Sequence, residues 1–220
     1  MGGAAGPDIV TKGLILALDA ADKRSYPGSG NTWTDLSLQG NNATLAGNQS
    51  FSTGFFGSLR FNTSGAWGKV DNTSILPTAA YTKIAVFRPI TNSANIISGG
   101  SSDGQHAFWM AGTSDELRAG HNGSWALVSY SPGSMLNQWW IGAVTFSTTS
   151  GWVLYLNGEQ VDTSATTTAF TGGNTVRIGA YNDNSNRFNG DINIAMIYNR
   201  VLSAEEVLQN YNAVKNRFGL

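Results

Sequence analysis

The chain is predicted to be an all-β protein: two antiparallel sheets stacked as a sandwich, with one short helix at the C-terminal end. Three observations predict this. Gly, Asn, Ser and Thr fill 90 of the 220 positions, and Gly and Asn accept the positive φ values that tight turns need. Short β-branched and aromatic runs recur between these turn signals at the spacing of a sandwich. A helical period occurs once, near the end.

Size and composition fit a single core. Hydrophobic residues make up 41% and aromatic residues 11% of the chain, enough apolar surface to stabilise one domain of this length. Charged residues are only 12%, about half the roughly 25% usual in soluble domains, so the surface is polar but mostly neutral. A net charge of −1 and the lack of any Lys/Arg run exclude nucleic acid and anionic membrane as expected partners. With no cysteine, there is neither a disulfide framework nor a thiolate for catalysis or soft-metal binding. The apolar stretch Leu14 to Leu18 is too short for a signal peptide or span and is closed by Asp19, so none is expected.

Residues 1–12 are rich in Gly and Ala and are expected to form a flexible N-terminal arm, leaving 13–220 as the sandwich domain. The apolar run Leu14 to Leu18 predicts a central strand, ended by the turn residues from Tyr26 to Asn31. Further strands are expected at Ser58 to Asn62, Tyr81 to Pro89, Asn95 to Ser98 and His106 to Ala111. Trp139 to Phe146 and Gly151 to Leu156 read as antiparallel neighbours. Asn157-Gly158 then predicts a type I′ hairpin turn into Glu159 to Val161. In that hairpin Trp152, Leu154 and Leu156 share one face, and Val153 and Tyr155 the other. Thr175 to Tyr181 and Asp191 to Tyr198 read as two more strands, the second buried on both sides, with Ile192, Ile194 and Met196 set against Ala195 and Ile197. Ser203-Ala204-Glu205-Glu206 is a capping box, and Val207, Leu208, Tyr211 and Val214 follow at helical spacing. The helix is expected over 204–216, against the edge of the sandwich.

The last third of the chain resembles the concanavalin A-like, laminin G-like jelly-roll family. The matching words are Leu154-Tyr-Leu-Asn-Gly158, Arg177-Ile-Gly179, Phe188-Asn-Gly-Asp-Ile192 and Arg200-Val-Leu-Ser-Ala-Glu-Glu206. Gly13 to Ala20, Ser25 to Ser37 and Gly40 to Leu45 are similar to a branch of that family common in tailed-phage virion proteins. The resemblance implies a virion structural protein, a capsid decoration or tail-associated component that is made in the host cytoplasm and displayed on the virion surface. Its partners would be capsid or tail subunits in multiple copies, with Gly2, Gly3, Pro7 and Asp8 on the arm as contacts. The alternative is a carbohydrate-binding module for a host-surface glycan. A eukaryotic-style adhesion module is weaker, because cysteines and a secretion signal are missing.

A glycosidase needs two carboxylates flanking the bond, but Glu205 and Glu206 belong to the helix start, Glu159 follows the hairpin, and Glu116 stands alone. His106 and His121 lack zinc-site spacing and read as polar contacts. Non-catalytic binding is therefore expected, with no cofactor. Rim calcium on Asn182-Asp183-Asn184 or Asp103 is conceivable from the resemblance, but Asx turns are the favoured reading and no metal is assigned. The candidate ligand-binding residues are Trp67, Trp109, Trp125, Tyr181, Asn182 and Asp183, aromatic rings and amide or carboxylate groups in turn-rich sequence. Trp139, Trp140 and Trp152 are assigned to the core.

Overall fold

The computed structural model describes residues 7–62, 65–72, 74–92, 94–99, 106–112, 115–172, 175–181 and 186–220. Among them the strands are β1 (Leu14–Asp19), β2 (Thr32–Trp33), β3 (Ala43–Ala46), β4 (Ser50–Ser52), β5 (Ser58–Phe61), β6 (Trp67–Val70), β7 (Ala80–Pro89), β8 (Ala94–Asn95), β9 (Ile97–Ser98), β10 (His106–Met110), β11 (Leu117–His121), β12 (Ser124–Tyr130), β13 (Trp140–Ser147), β14 (Gly151–Leu156), β15 (Glu159–Ser164), β16 (Arg177–Ile178) and β17 (Gly190–Tyr198). One α-helix, α1, spans Ala204–Val214.

An eight-stranded sheet runs β15-β14-β13-β7-β17-β5-β4. The long strand β17 pairs with β5 over Gly190 to Ile192 and with β1 over Ile194 to Tyr198, so two short strands share one of its edges. Facing this sheet are a four-stranded sheet, β12-β11-β10-β8, and a five-stranded one, β2-β3-β6-β16-β9. All the strand pairs are antiparallel, as expected for a sandwich. The inter-sheet core joins Phe87, Phe146, Trp152 and Ile197 of the large sheet to Leu45, Ile178, Phe108 and Leu117 of the opposing layer.

A second apolar cluster covers the outer face of the large sheet: Ile84, Val86, Ile141, Tyr155, Ile194, Met196 and Tyr198, packed against Val207 and Val214 of α1. The helix thus lies on a sheet face rather than at the expected edge, because β7, β13 and β17 carry apolar residues on both sides. Ser203 caps it: its hydroxyl accepts from the Glu206 amide while the Glu206 carboxylate accepts from the Ser203 amide. The Asn157-Gly158 turn has φ values of 50° and 83°, the type I′ geometry expected, and the two hairpin faces divide between the two clusters as the alternation requires.

Three expectations change. Ile192 faces the inter-sheet core whereas Ile194 faces α1, because the register of β17 against β7 slips between them. The residue in the slip is Asn193, whose Nδ2 donates to the carbonyls of Phe56 and Gly57 at 3.0 and 3.3 Å. The region from Asn95 to Ser98 is two strands in different sheets, β8 on β10 and β9 on β16. Within Thr175 to Tyr181 only Arg177 and Ile178 pair as strand. Gly179 ends it at φ +75°, where a β-carbon would lie 2.5 Å from the Phe61 ring, so the close approach needs glycine on both counts.

The N-terminal segment also departs from the free arm expected. Pro7 and Asp8 are exposed, but Val10 is buried and docks on the chain's own helix. Its amide donates to Asn210 Oδ1 at 2.9 Å, and its carbonyl accepts from the Tyr198 hydroxyl at 2.8 Å. Gln209 donates to the Asp8 carbonyl at 2.7 Å and Arg200 to that of Lys12 at 2.9 Å. Gly2 and Gly3 lie outside the described residues.

The Trp33 to Asn42 region clasps the free edge of β1. Asp35 Oδ1 accepts from the amides of Ala17 and Ser37 at 2.8 and 2.9 Å, and Oδ2 from the Asn41 amide and the Ser37 hydroxyl at 3.0 and 2.7 Å. Asn41 Nδ2 donates to the Ile15 carbonyl at 2.6 Å. Side chains thereby satisfy an edge that would otherwise present unpaired backbone groups.

Candidate functional site

The site is built on the outer face of the four-stranded sheet. On β10, Phe108 and Met110 point into the core, so alternation turns Ala107 and Trp109 outward. In register, Trp109 sits between Arg118 of β11 and Asn95 of β8. Its indole Nε1 donates to the Trp125 carbonyl on β12 at 2.8 Å, which ties the two tryptophans together. Tyr181, just beyond the Gly179 bend, meets Trp125 edge to face, with ring centroids 5.5 Å apart and planes at 84°. These rings, with Asn95, Ala107 and Asn186, line a hollow of about 170 Å³. Burial pushes the Tyr181 phenol up to about 12, so it remains a hydrogen-bond donor at neutral pH. Above Trp109, the Arg118 guanidinium lies 5.5 Å from the ring and is paired with Glu116 at 2.6 Å.

Three of the sequence-derived residues, Trp109, Trp125 and Tyr181, therefore meet in one place. Trp67 does not join them; it lies on β6, where the Arg177 guanidinium covers its ring at 4.6 Å. Asn182 and Asp183 lie outside the described residues. Asn95 and Asn186 were missed, since only the β8–β10 pairing, fourteen residues apart in sequence, puts Asn95 beside Trp109. Trp152 is in the inter-sheet core, Trp140 packs against it, and Trp139 stacks on Phe218 at 4.8 Å on the opposite side of the large sheet.

A larger hollow, about 600 Å³, lies beneath the N-terminal segment between Ala17, Met196 and Val214. Four of its lining charges are paired with one another, Asp19 with Arg217 at 2.8 Å and Asp22 with Arg24 at 2.6 Å, and no aromatic ring lines it.

The two histidines make polar contacts, as expected, in a network inside the sandwich. Lys83, on the inward face of β7 and only 1% exposed, donates from Nζ to His106 Nδ1 at 2.6 Å and to the Ile97 carbonyl at 3.3 Å. His106 Nε2 faces the Thr175 carbonyl at 3.0 Å and His121 Nε2 that of Thr168 at 2.9 Å. A carbonyl only accepts, so Nε2 carries the proton in each ring and Nδ1 accepts, from Lys83 and from the Tyr81 hydroxyl respectively. Burial holds the Lys83 ammonium well below its ordinary pKa, lowers His106 further with help from Lys83, and brings His121 to about 4. Among the described residues no group of three or more His, Cys, Asp or Glu is placed to hold a metal ion.

Two facing antiparallel layers with an apolar core between them define a jelly-roll β-sandwich. Residues 62–208 match the concanavalin A-like lectin/glucanases superfamily, and the chain belongs to it. Among solved structures, domain 4 of AbnA, a GH43 extracellular arabinanase from Geobacillus stearothermophilus in complex with arabinotriose, superposes with a TM-score of 0.69 at 15% identity, over 90% of this chain and 98% of that one. The binding domain of botulinum neurotoxin DC, in complex with rat synaptotagmin II, gives 0.66 at 14% identity over 93% of this chain, which spans 52% of that longer one. The same toxin domain in complex with SialylT gives 0.66 at 15%, again over 52% of its length. At these identities the likeness is one of fold. No curated protein sequence matches the chain.

Proposed function

We propose that this chain is a non-catalytic recognition domain that binds carbohydrate in the Trp109–Trp125–Tyr181 hollow. The observation that carries the reading is the convergence of three half-buried aromatic rings, contributed by β10, β12 and the segment after β16, on one outer face. A sugar ring presents an apolar C–H face to such rings and hydroxyls to nearby amides, which Asn95 and Asn186 provide. A superfamily of lectins and glucanases and a structural relative solved with arabinotriose support it. Glycan-array screening and titration of the purified domain test it: saturable binding should be lost in Trp125→Ala and Tyr181→Ala while their circular dichroism stays native. Binding that survives both substitutions would place the site elsewhere.

The resemblance of residues 13–45 to phage virion proteins supports a domain carried in multiple copies on capsid or tail subunits, made in the host cytoplasm. Several of those residues, Trp33, Asp35 and Asn41 among them, serve the core or the β1 edge here, so the sequence resemblance is its support. Reconstruction of a native particle with no density for the domain, or a pull-down without virion proteins, would reject it.

A further inference from the structure

The hollow has three properties that narrow its ligand. Asn95 is 3% exposed and lines it, and its amide orientation is set by Nδ2 donating to the Asn186 carbonyl at 3.4 Å. Oδ1 is left without any hydrogen-bond partner among the described residues. A buried carbonyl oxygen in that state is an acceptor waiting for a donor. Next, the described lining residues carry no formal charge, and Arg118, the cation over the Trp109 ring, is already paired with Glu116. Finally, Trp125 and Tyr181 stand at right angles as a corner rather than a flat shelf, and 170 Å³ is below the roughly 300–1,000 Å³ that drug-sized ligands occupy. A corner of that size fits one ring entering end-on better than a polymer laid along it.

We propose that the hollow selects an uncharged, terminal sugar ring, one of whose hydroxyls donates to Asn95 Oδ1. The inference rests on the reading of this hollow as a carbohydrate site. A uronic or sialic carboxylate would set acceptor against acceptor at Asn95, and would lose its hydration with no cation among the described lining residues to replace it. A quaternary ammonium group suits aromatic cages in general, but the Trp109 ring already carries the Arg118 guanidinium, and the described lining residues include no carboxylate to balance a second cation.

Paired probes decide it on the unmodified protein: methyl glycosides of neutral hexoses and pentoses, the matching methyl uronides, a sialylated trisaccharide, and choline, each titrated by indole NMR shifts. Neutral glycosides are expected to bind at least ten-fold more tightly than their uronides, and Asn95→Ala, checked for a native melt, should weaken the neutral ligand about ten-fold or more. Equal or tighter binding of the uronides or the sialylated probe overturns the inference while leaving a sugar site in place. Choline binding alone, or saturation by none of the probes, overturns the inference and the carbohydrate reading together. The wild-type comparison stands even if Asn95→Ala fails to fold.

Discussion

Lys83 lies at the centre of the sandwich, and replacing it with methionine tests whether its amine is neutral in the folded protein. Both side chains are long and unbranched, so Lys83→Met keeps the volume and removes the titrating group. The native amine is held well below its ordinary 10.5 by burial, whereas in the unfolded chain it titrates normally. Between those two values the unfolded state binds one proton more than the native state, so stability rises with pH by about 1.4 kcal/mol per unit. It is fully present above 10.5 and lost as pH falls through the native value. Wherever the native amine is neutral between pH 7 and 9, the wild type gains about 1.4 kcal/mol per pH unit relative to the variant. The variant also leaves His106 Nδ1 and the Ile97 carbonyl without their lysine donor, a pH-independent cost of about 1–3 kcal/mol for each group. Tyr81 and Tyr198, both raised by burial, begin to act only near pH 10, which fixes the upper limit. Urea unfolding of both proteins at pH 7, 8 and 9 measures the difference. Parallel stability curves, constant to within about 0.5 kcal/mol, would mean that the lysine is charged in the core and that the reasoning is wrong.

Acid should weaken the same network from the other side. His121, brought to about 4 by burial, must stay neutral in the fold, so wild-type stability is intact above 6.5 and falls as pH drops toward 4. The loss is about 2–3 kcal/mol after discounting for solvent screening, and thermal melts of His121→Gln should be flatter between pH 6.5 and 4.5. Asp35→Ala removes four hydrogen bonds, one from the β1 edge and three within the loop that clasps it, and is expected to cost about 2–4 kcal/mol in denaturant unfolding; a change below about 1 kcal/mol would show that water replaces the clasp. Gly179→Ala combines a positive φ with a contact 2.5 Å from the Phe61 ring, for an expected loss of about 2–4 kcal/mol by the same assay. Because Gly179 sets the path to Tyr181, that variant should also weaken any ligand that Trp125→Ala abolishes.

How much of this was legible in the sequence follows from the range of each interaction. Alternation along Trp152 to Leu156, the Tyr81 to Pro89 strand, the Asn157-Gly158 turn and the Ser203 to Glu206 cap are local, set by backbone sterics and neighbouring side chains, and they hold as read. Alternation also places Lys83 on the same inward face as Tyr81, Ala85 and Phe87, a signal present in the sequence that the strand reading left unused. That aromatic residues near turns would supply a surface was readable too, but not which of them. Trp67 and Trp125 look alike in sequence; one lies under Arg177 and the other meets Tyr181.

Composition and local pattern by themselves thus determined a β-sandwich with a capped C-terminal helix and a mostly neutral surface, since those depend on residue type and near spacing. Tertiary structure alone decided the slip at Asn193, the docking of Val10 on the helix, the buried Lys83–His106 contact and the pairing of Asn95 with Trp109. Each of these depends on register between strands or segments distant in sequence. A shift of one residue would turn every side chain of a strand to its other face, and only the packed core selects among such registers.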